Sequence, residues 1–248
     1  MAKKYKKQNN LEAFMTFILL ISEIILKIVM RMSVFIYDGI TFYTSSYKSK
    51  SNIGLIKTML DKGVYGEFTF YRKLIKVFGK PNVLANLYLD HTNTMFTEVD
   101  LVAVSKKGIY VFEVKNYAGY IYGSEKDTYW TQVLNKWVKN KFYNPLKQNY
   151  AHIKALENYL TVEKSSMIPM IVFSNRSKLS KINISNTNYV NQFKDTLKRI
   201  KHIERTSLDN LSQEVIEDIL IKLLSKSHAD EETKLKHIEA IKSHIKST

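Results

Sequence analysis

The sequence predicts an α/β domain, a mixed sheet flanked by helices, and three observations carry that expectation. Residues 97–117 read TEVDLVAVSKKGIYVFEVKNY. Two runs rich in β-branched and aromatic residues, 99–104 and 109–114, flank Ser105-Lys106-Lys107-Gly108, a strand–turn–strand pattern. Ahead of it, Val64, Phe68, Tyr71, Ile75 and Phe78 recur at helical spacing and stop before Gly79-Lys80-Pro81. Behind it, Asn144-Pro145 opens a second helix, and 168–174 reads as a buried-type strand. The predicted order is therefore α-β-β-β, short strands, α-β.

The chain has 248 residues, 45% hydrophobic and 25% charged, enough to bury one core with attachments. It has no cysteine, which excludes disulfides and thiolate metal sites. The formal net charge of +15 points to a polyanion, either nucleic acid or anionic lipid. A lysine-rich codon bias is the plainer source of such a charge. No Gly-rich phosphate loop, no H-E-x-x-H and no G-x-S-x-G occurs, so nucleotide-cofactor and serine-hydrolase chemistry have no support.

Residues 1–47 read as a basic tail, with Lys3, Lys4, Lys6 and Lys7, leading into an apolar helix over 11–37. Glu23, Lys27 and Arg31 follow one another at four-residue intervals and form one polar stripe. The apolar residues favour membrane insertion by roughly 0.3–0.6 kcal/mol each, and each charge opposes it by roughly 2.5–3.5 near the centre. The sum lies near zero. A transmembrane anchor, an amphipathic helix lying on a membrane or partner, and a helix packed on the core are the three readings. No cleavage site of a signal peptide follows.

Residues 48–62 read as a linker. The next element is the helix ending at Phe78, with Glu67 beside its apolar stripe. Residues 82–90 form the first expected strand, followed by the hairpin. A turn centred on Lys106 and Lys107 pairs position i with 213 minus i, which sets Asp100 opposite Glu113. Opposed residues have Cβ atoms roughly 5 Å apart, and two carboxylates there repel. Val102, Val104, Ile109 and Val111 continue the same faces, so this is a covered part of the sheet and not a solvated surface. Burying unpaired carboxylates is costly. Lys115 supplies one compensating cation, and a divalent metal with oxygen ligands would supply the rest.

Short strands are expected at 119–122 and 128–134. The stretch after them interleaves Trp130, Trp137, Phe142 and Tyr143 with Lys136, Lys139, Lys141 and Lys147. Cations among aromatic faces suit a nucleic-acid groove, and amphipathic cover over the sheet is the bland alternative. In the helix from Asn144, Leu146, Tyr150, Ile153 and Leu160 are expected to face the core, with Gln148 and His152 one turn apart. A weaker strand is expected at 182–190. Helices are expected at 207–225, with Ser207 as N-cap, and at 229–246.

The order Asp100, gap, Glu113-Val114-Lys115 resembles the signature of the PD-(D/E)xK nuclease superfamily. More narrowly, residues 66 to about 160 resemble the nuclease-related domain (NERD) family. The matching features are Gly66-Glu67, TEVDLV, KKGIYVFEVKNY, 119–125, Tyr129-Trp130-Thr131-Gln132 and Phe142-Tyr143-Asn144-Pro145-Leu146-Lys147-Gln148. One departure is Val99, which stands where the family's signature has proline. The resemblance implies a restriction-endonuclease-like fold with an αβββαβ core. It implies Mg²⁺, with Mn²⁺ as substitute, held by Asp100, Glu113 and Glu67. It implies Lys115 at the attacking water or phosphate, with Gln148 orienting its neighbours. The expected protein is a metal-dependent nuclease acting on nucleic acid, DNA favoured, membrane-associated through 11–37 with its nuclease domain in the cytoplasm. The expected divisions are 1–47, 48–62, 63–205 for the nuclease-related domain and 206–248 for a helical segment. The rival expectation is a non-catalytic nucleic-acid-binding or membrane-anchored interaction module on the same fold.

Overall fold

The structure, a computed structural model, describes residues 2–92, 95–186 and 189–227, with side chains described except at 2–11, 13, 90–92, 95 and 96. The expected helix at 229–246 lies outside the described residues. The chain divides into two compact units, Met1–Thr44 and Ser45–Thr248.

The first unit is a single helix, α1 (Ala2–Thr44). Glu23 and Lys27 pair at 2.6 Å on its exposed surface, the favourable i,i+4 order. Its apolar side chains, such as Phe17, Leu20, Ile25 and Met30, are exposed. Among the described residues no helix is long and apolar enough to cross a membrane. The expected transmembrane reading is corrected to that extent, because Glu23, Lys27 and Arg31 keep the uninterrupted apolar run short.

The second unit begins with two short helices, α2 (Tyr47–Ser51) and α3 (Leu55–Leu60), within the stretch expected as a linker. Tyr47 and Lys50 are buried there. Next comes α4 (Lys62–Phe78), capped by the Asp61 carboxylate, which accepts from the Gly63 and Val64 N–H groups at 2.8 and 3.0 Å. The chain then runs β1 (Val83–Thr92), β2 (Met95–Ser105), β3 (Gly108–Lys115), β4 (Gly119–Ser124), β5 (Tyr129–Val133), β6 (Lys139–Tyr143), α5 (Pro145–Leu160), β7 (Met167–Phe173), β8 (Ser177–Asn183), β9 (Val190–Gln192), α6 (Phe193–Thr206) and α7 (Gln213–Ser225). The strands form a five-stranded mixed sheet, β1-β2-β3-β7-β9, and a four-stranded mixed sheet, β6-β5-β4-β8.

The large sheet is covered on both faces, which fits the apolar runs of β2 and β3. On one side α4 sets Phe70 against Phe112 and Phe78 against Tyr110, with ring centroids 5.4 and 5.0 Å apart. On the other, Val102, Val104, Ile109 and Val111 pack with Ile153 and Leu156 of α5 and with Ile216, Leu220 and Leu223 of α7. Each such side chain contributes roughly 1.5–3 kcal/mol on burial. The αβββαβ core, α4-β1-β2-β3-α5-β7, is the restriction-endonuclease-like arrangement expected from the resemblance.

One strand is added and three local expectations are corrected. Residues 139–143 form a strand. The single strand expected at 182–190 is instead the end of one strand, β8, and the start of another, β9. Ser207 ends α6, and Ser212 caps α7, accepting from the Val215 N–H at 3.3 Å. Tyr150 is exposed, and the buried side of α5 carries Asn149 and His152 beside Ile153, Leu156 and Leu160.

Candidate active site

β3 is the centre of the site because it is held on both edges. It pairs parallel with β7, Glu113 opposite Ile171 and Lys115 opposite Phe173. It pairs antiparallel with β2 from Ser105↔Gly108 to Leu101↔Phe112, the register expected from the Lys106–Lys107 turn. Beyond Leu101 the backbone ladder gives way to a side chain. The Asp100 carboxylate accepts the Val114 N–H at 2.8 Å, which fixes it beside Glu113. On the neighbouring strand Asn86 takes φ +52° and donates from Nδ2 to Glu98 Oε1 at 2.7 Å.

Glu113 is fully buried. Its Oε1 lies 2.5 Å from Lys115 Nζ, an ion pair. Its Oε2 accepts from His152 Nε2 at 2.9 Å, and His152 Nδ1 lies 2.7 Å from Thr97 Oγ1. A neutral ring with its proton on Nε2 accepts the threonine hydroxyl at Nδ1. Lys115 Nζ also donates to Gln148 Oε1 at 3.2 Å. Glu67 arrives from α4 because Gly66 lets the helix approach closely: a Cβ on Gly66 would stand 2.4 Å from Asn116 Cβ, just beyond Lys115. Glu67, Asp100, Gln148, His152, Thr97 and Glu98 line one cleft of about 490 Å³.

Burial pushes the Glu67 carboxyl up to about 7, aided by Glu98 and Glu113 and opposed by Lys115. Burial likewise raises Asp100 well above the usual carboxylate range, with Glu113 and then Glu67 adding repulsion. Burial alone would lower Lys115, but Glu113 and Asp100 hold it above its ordinary value. Three carboxyl groups thus gather about Lys115, and Lys57 also lines the cleft from its exposed side. Carboxylate oxygens without thiols are the donors Mg²⁺ and Mn²⁺ take, so the donor chemistry fits such a cation, which Asp100, Glu113 and Glu67 would hold. Among the described residues, no group of three or more His, Asp and Glu side chains is already arranged to hold a metal ion.

The residues expected to contact nucleic acid do not form one surface. Trp130 is buried, its ring stacked on Phe173 with centroids 6.3 Å apart and its Nε1 donating to Ser124 O. Lys147 lies on the far flank of α5 at a separate cavity of about 860 Å³, its Nζ 3.4 Å from Lys126 O. Lys136, Trp137, Lys139 and Lys141 do stay together on the exposed β5–β6 hairpin, with Lys136 over the Trp137 ring at 4.9 Å. The sequence reading gave His152 no role in the site, and Thr97, Glu98 and Asn86 were also missed. The one available signal was the spacing of His152 one helical turn after Gln148.

The profile of the nuclease-related domain matches residues 62–174. An uncharacterized protein of Bacillus anthracis, pXO1-01, is 32% identical over 185 residues, covering 72% of this chain and 82% of that protein. A crystal structure of a protein of unknown function, AF1548, aligns with 76% of this chain and 100% of that chain at 14% identity, with a TM-score of 0.30. With the family profile spanning α4 to β7, the chain belongs to the nuclease-related domain (NERD) family of the PD-(D/E)xK-like nuclease superfamily.

Proposed function

We propose that this protein hydrolyses phosphodiester bonds in nucleic acid, DNA being the favoured substrate, in the cleft where Asp100, Glu113, Lys115 and Glu67 meet. The single observation that carries this reading is the convergence of three carboxyl groups, Glu67 and Asp100 half-buried and Glu113 fully buried, beside Lys115. Asp100, Glu113 and Glu67 would hold Mg²⁺ or Mn²⁺. When bound, the cation supplies a Lewis acid and neutralises charge on the phosphate. The chain's own residues do the rest. The Val114 N–H fixes Asp100, and His152 with Thr97 fixes Glu113. Lys115, oriented by Gln148, presents an N–H to a phosphate oxygen or an attacking water, where charge develops. Glu67, near 7, exchanges a proton readily at neutral pH.

The test is a cleavage assay on single-stranded, duplex and branched substrates with and without Mg²⁺, run on wild type and Asp100→Asn. Metal-dependent cleavage lost in the variant supports the proposal, and cleavage that persists in the variant overturns it. A non-catalytic nucleic-acid-binding module is the second reading. It is favoured by the engagement of both Glu113 oxygens by Lys115 and His152. Binding without cleavage at any Mg²⁺ or Mn²⁺ concentration selects it.

We also propose that residues 11–37 associate with a membrane, leaving the nuclease domain on its cytoplasmic side. The exposed apolar side chains of α1 support this. Vesicle flotation of the full chain, lost on deleting 1–46, is the expected outcome. A full chain that stays unbound at low and high salt refutes it.

A further inference from the structure

The small sheet, β6-β5-β4-β8, turns one face inward and leaves the other open. Inward go Ile121 and Trp130, both fully buried, with Phe142 opposite Trp130 and packed on Phe173. Side chains alternate along a strand, so their neighbours point outward. The register sets Tyr120 and Tyr122 of β4 beside Val133 and Thr131 of β5, and Tyr129 beside Tyr143 of β6. Tyr120, Tyr129 and Tyr143 are all exposed. Tyr120 and Tyr122 stack with centroids 6.5 Å apart, and Tyr129 meets Tyr143 edge-on at 6.1 Å.

Lysines frame these rings. Lys139 and Lys141 lie opposite Val133 and Thr131 on one edge strand, and Lys178 and Lys181 lie opposite Tyr120 and Tyr122 on the other. Lys178 sits over the Tyr120 ring at 4.9 Å. No residue of the four strands is acidic. A sheet normally solvates an open face with mixed charges. Here the open face is aromatic in the middle and cationic at both sides.

We propose that this face is a platform for single-stranded polynucleotide, on which unpaired bases stack against the tyrosines while the flanking lysines neutralise phosphates. Paired bases keep their faces inside the helix, so flat rings in the middle of an open sheet serve unpaired ones. A membrane-seeking face would carry aliphatic side chains, and this one has Val133 alone among them. The inference deepens the nuclease reading by naming the strand state of its substrate, yet binding to the platform needs neither metal nor cleavage.

The experiment measures binding of labelled oligo-dT, oligo-U and a duplex of equal length to the full chain carrying Asp100→Asn, in chelator, by fluorescence anisotropy. Single strands of either sugar should bind more tightly than duplex. Tyr122→Ala with Tyr129→Ala should weaken single-strand binding by about tenfold or more, while Tyr122→Phe with Tyr129→Phe should retain it. Trp137 is 82% exposed and Trp130 fully buried, so indole fluorescence and its quenching by acrylamide check that each variant is folded. Equal affinity for duplex and single strand, or unchanged binding in the folded alanine variant, overturns the platform. So does loss of anionic-vesicle binding in that variant with oligonucleotide binding intact. Single-strand binding that behaves as stated beside a wild-type protein inert with every metal would leave the platform standing and refute the nuclease reading alone.

Discussion

The cleft at the end of the large sheet and the outer face of the small sheet are opposite in charge and in burial. The cleft region gathers half-buried Glu67 and Asp100 and fully buried Glu113 around Lys115. The outer face spreads Lys139, Lys141, Lys178 and Lys181 in solvent with no acid among its strands. Burial makes each charge in the cleft strong and dependent on its neighbours, because a low dielectric screens little. Solvent makes each charge on the face weak, nearly independent and sensitive to salt. Substitutions should therefore be all-or-none in the first region and graded in the second.

The largest expected effect is at Asp100. Asp100→Asn should lower cleavage by about a thousandfold or more while leaving the metal-free protein as stable as wild type or more so, since one repelling charge is gone. Thermal melts beside the cleavage assay read both. Lys115→Ala should abolish cleavage too but destabilise the metal-free protein by about 3–5 kcal/mol, the range for breaking a buried pair. Equal melts for the two variants would break the comparison. A smaller loss is expected at His152. His152→Gln should cost roughly 10–100-fold in activity, as second-layer partners of metal ligands do, and an unchanged rate constant would show that Glu113 holds its place unaided.

On the open face, replacing Lys136, Lys139 and Lys141 with alanine should flatten the salt dependence of single-strand binding, its logarithmic slope falling by roughly 0.7 for each phosphate left without its lysine. An abrupt loss of all binding would contradict graded behaviour. The subtlest test is a buried base. Lys50 is buried, donates to the carbonyls of Lys80 and Val83, and is pulled down to about 7 by burial and then by Lys80. Between that value and its ordinary 10.5 the unfolded chain holds more protons than the folded one, so stability rises with pH across the window. Denaturant melts at pH 7 and pH 9.5 should show that rise in wild type and lose it in Lys50→Met. The raised acids of the cleft have the opposite sign: they favour the folded state at low pH and lose that advantage as pH climbs through their folded values.

The sequence made the hairpin register legible, because period-two alternation around a Lys-Lys-Gly turn allows one pairing. It made Asp100 and Glu113 legible as a pair for the same reason. Glu67 and Gln148 were legible only through the family resemblance, since a single acid or amide on a helix has no local pattern. His152 showed only as a spacing of one turn after Gln148, because the contact that gives it a role is with Glu113, far away in sequence. Strand β6 was missed because its outward residues are lysines and its alternation resembles a polar loop. Ser207 and Ser212 are equally good caps by local chemistry, and only the packing of α7 on the sheet chooses between them.

The pairing of β3 with β7 has a consequence for synthesis. Asp100, Glu113, Lys115 and Gln148 all leave the ribosome before Met167 does. Yet one edge of the strand that carries Glu113 and Lys115 stays open until β7 adds alongside it in parallel, a long-range pairing of the kind that forms late. A chain interrupted before that point holds every proposed catalytic group without the strand that fixes two of them in place. The site is therefore complete only once β7 has added, and a half-made copy carries the proposed catalytic residues without the strand pairing that holds them.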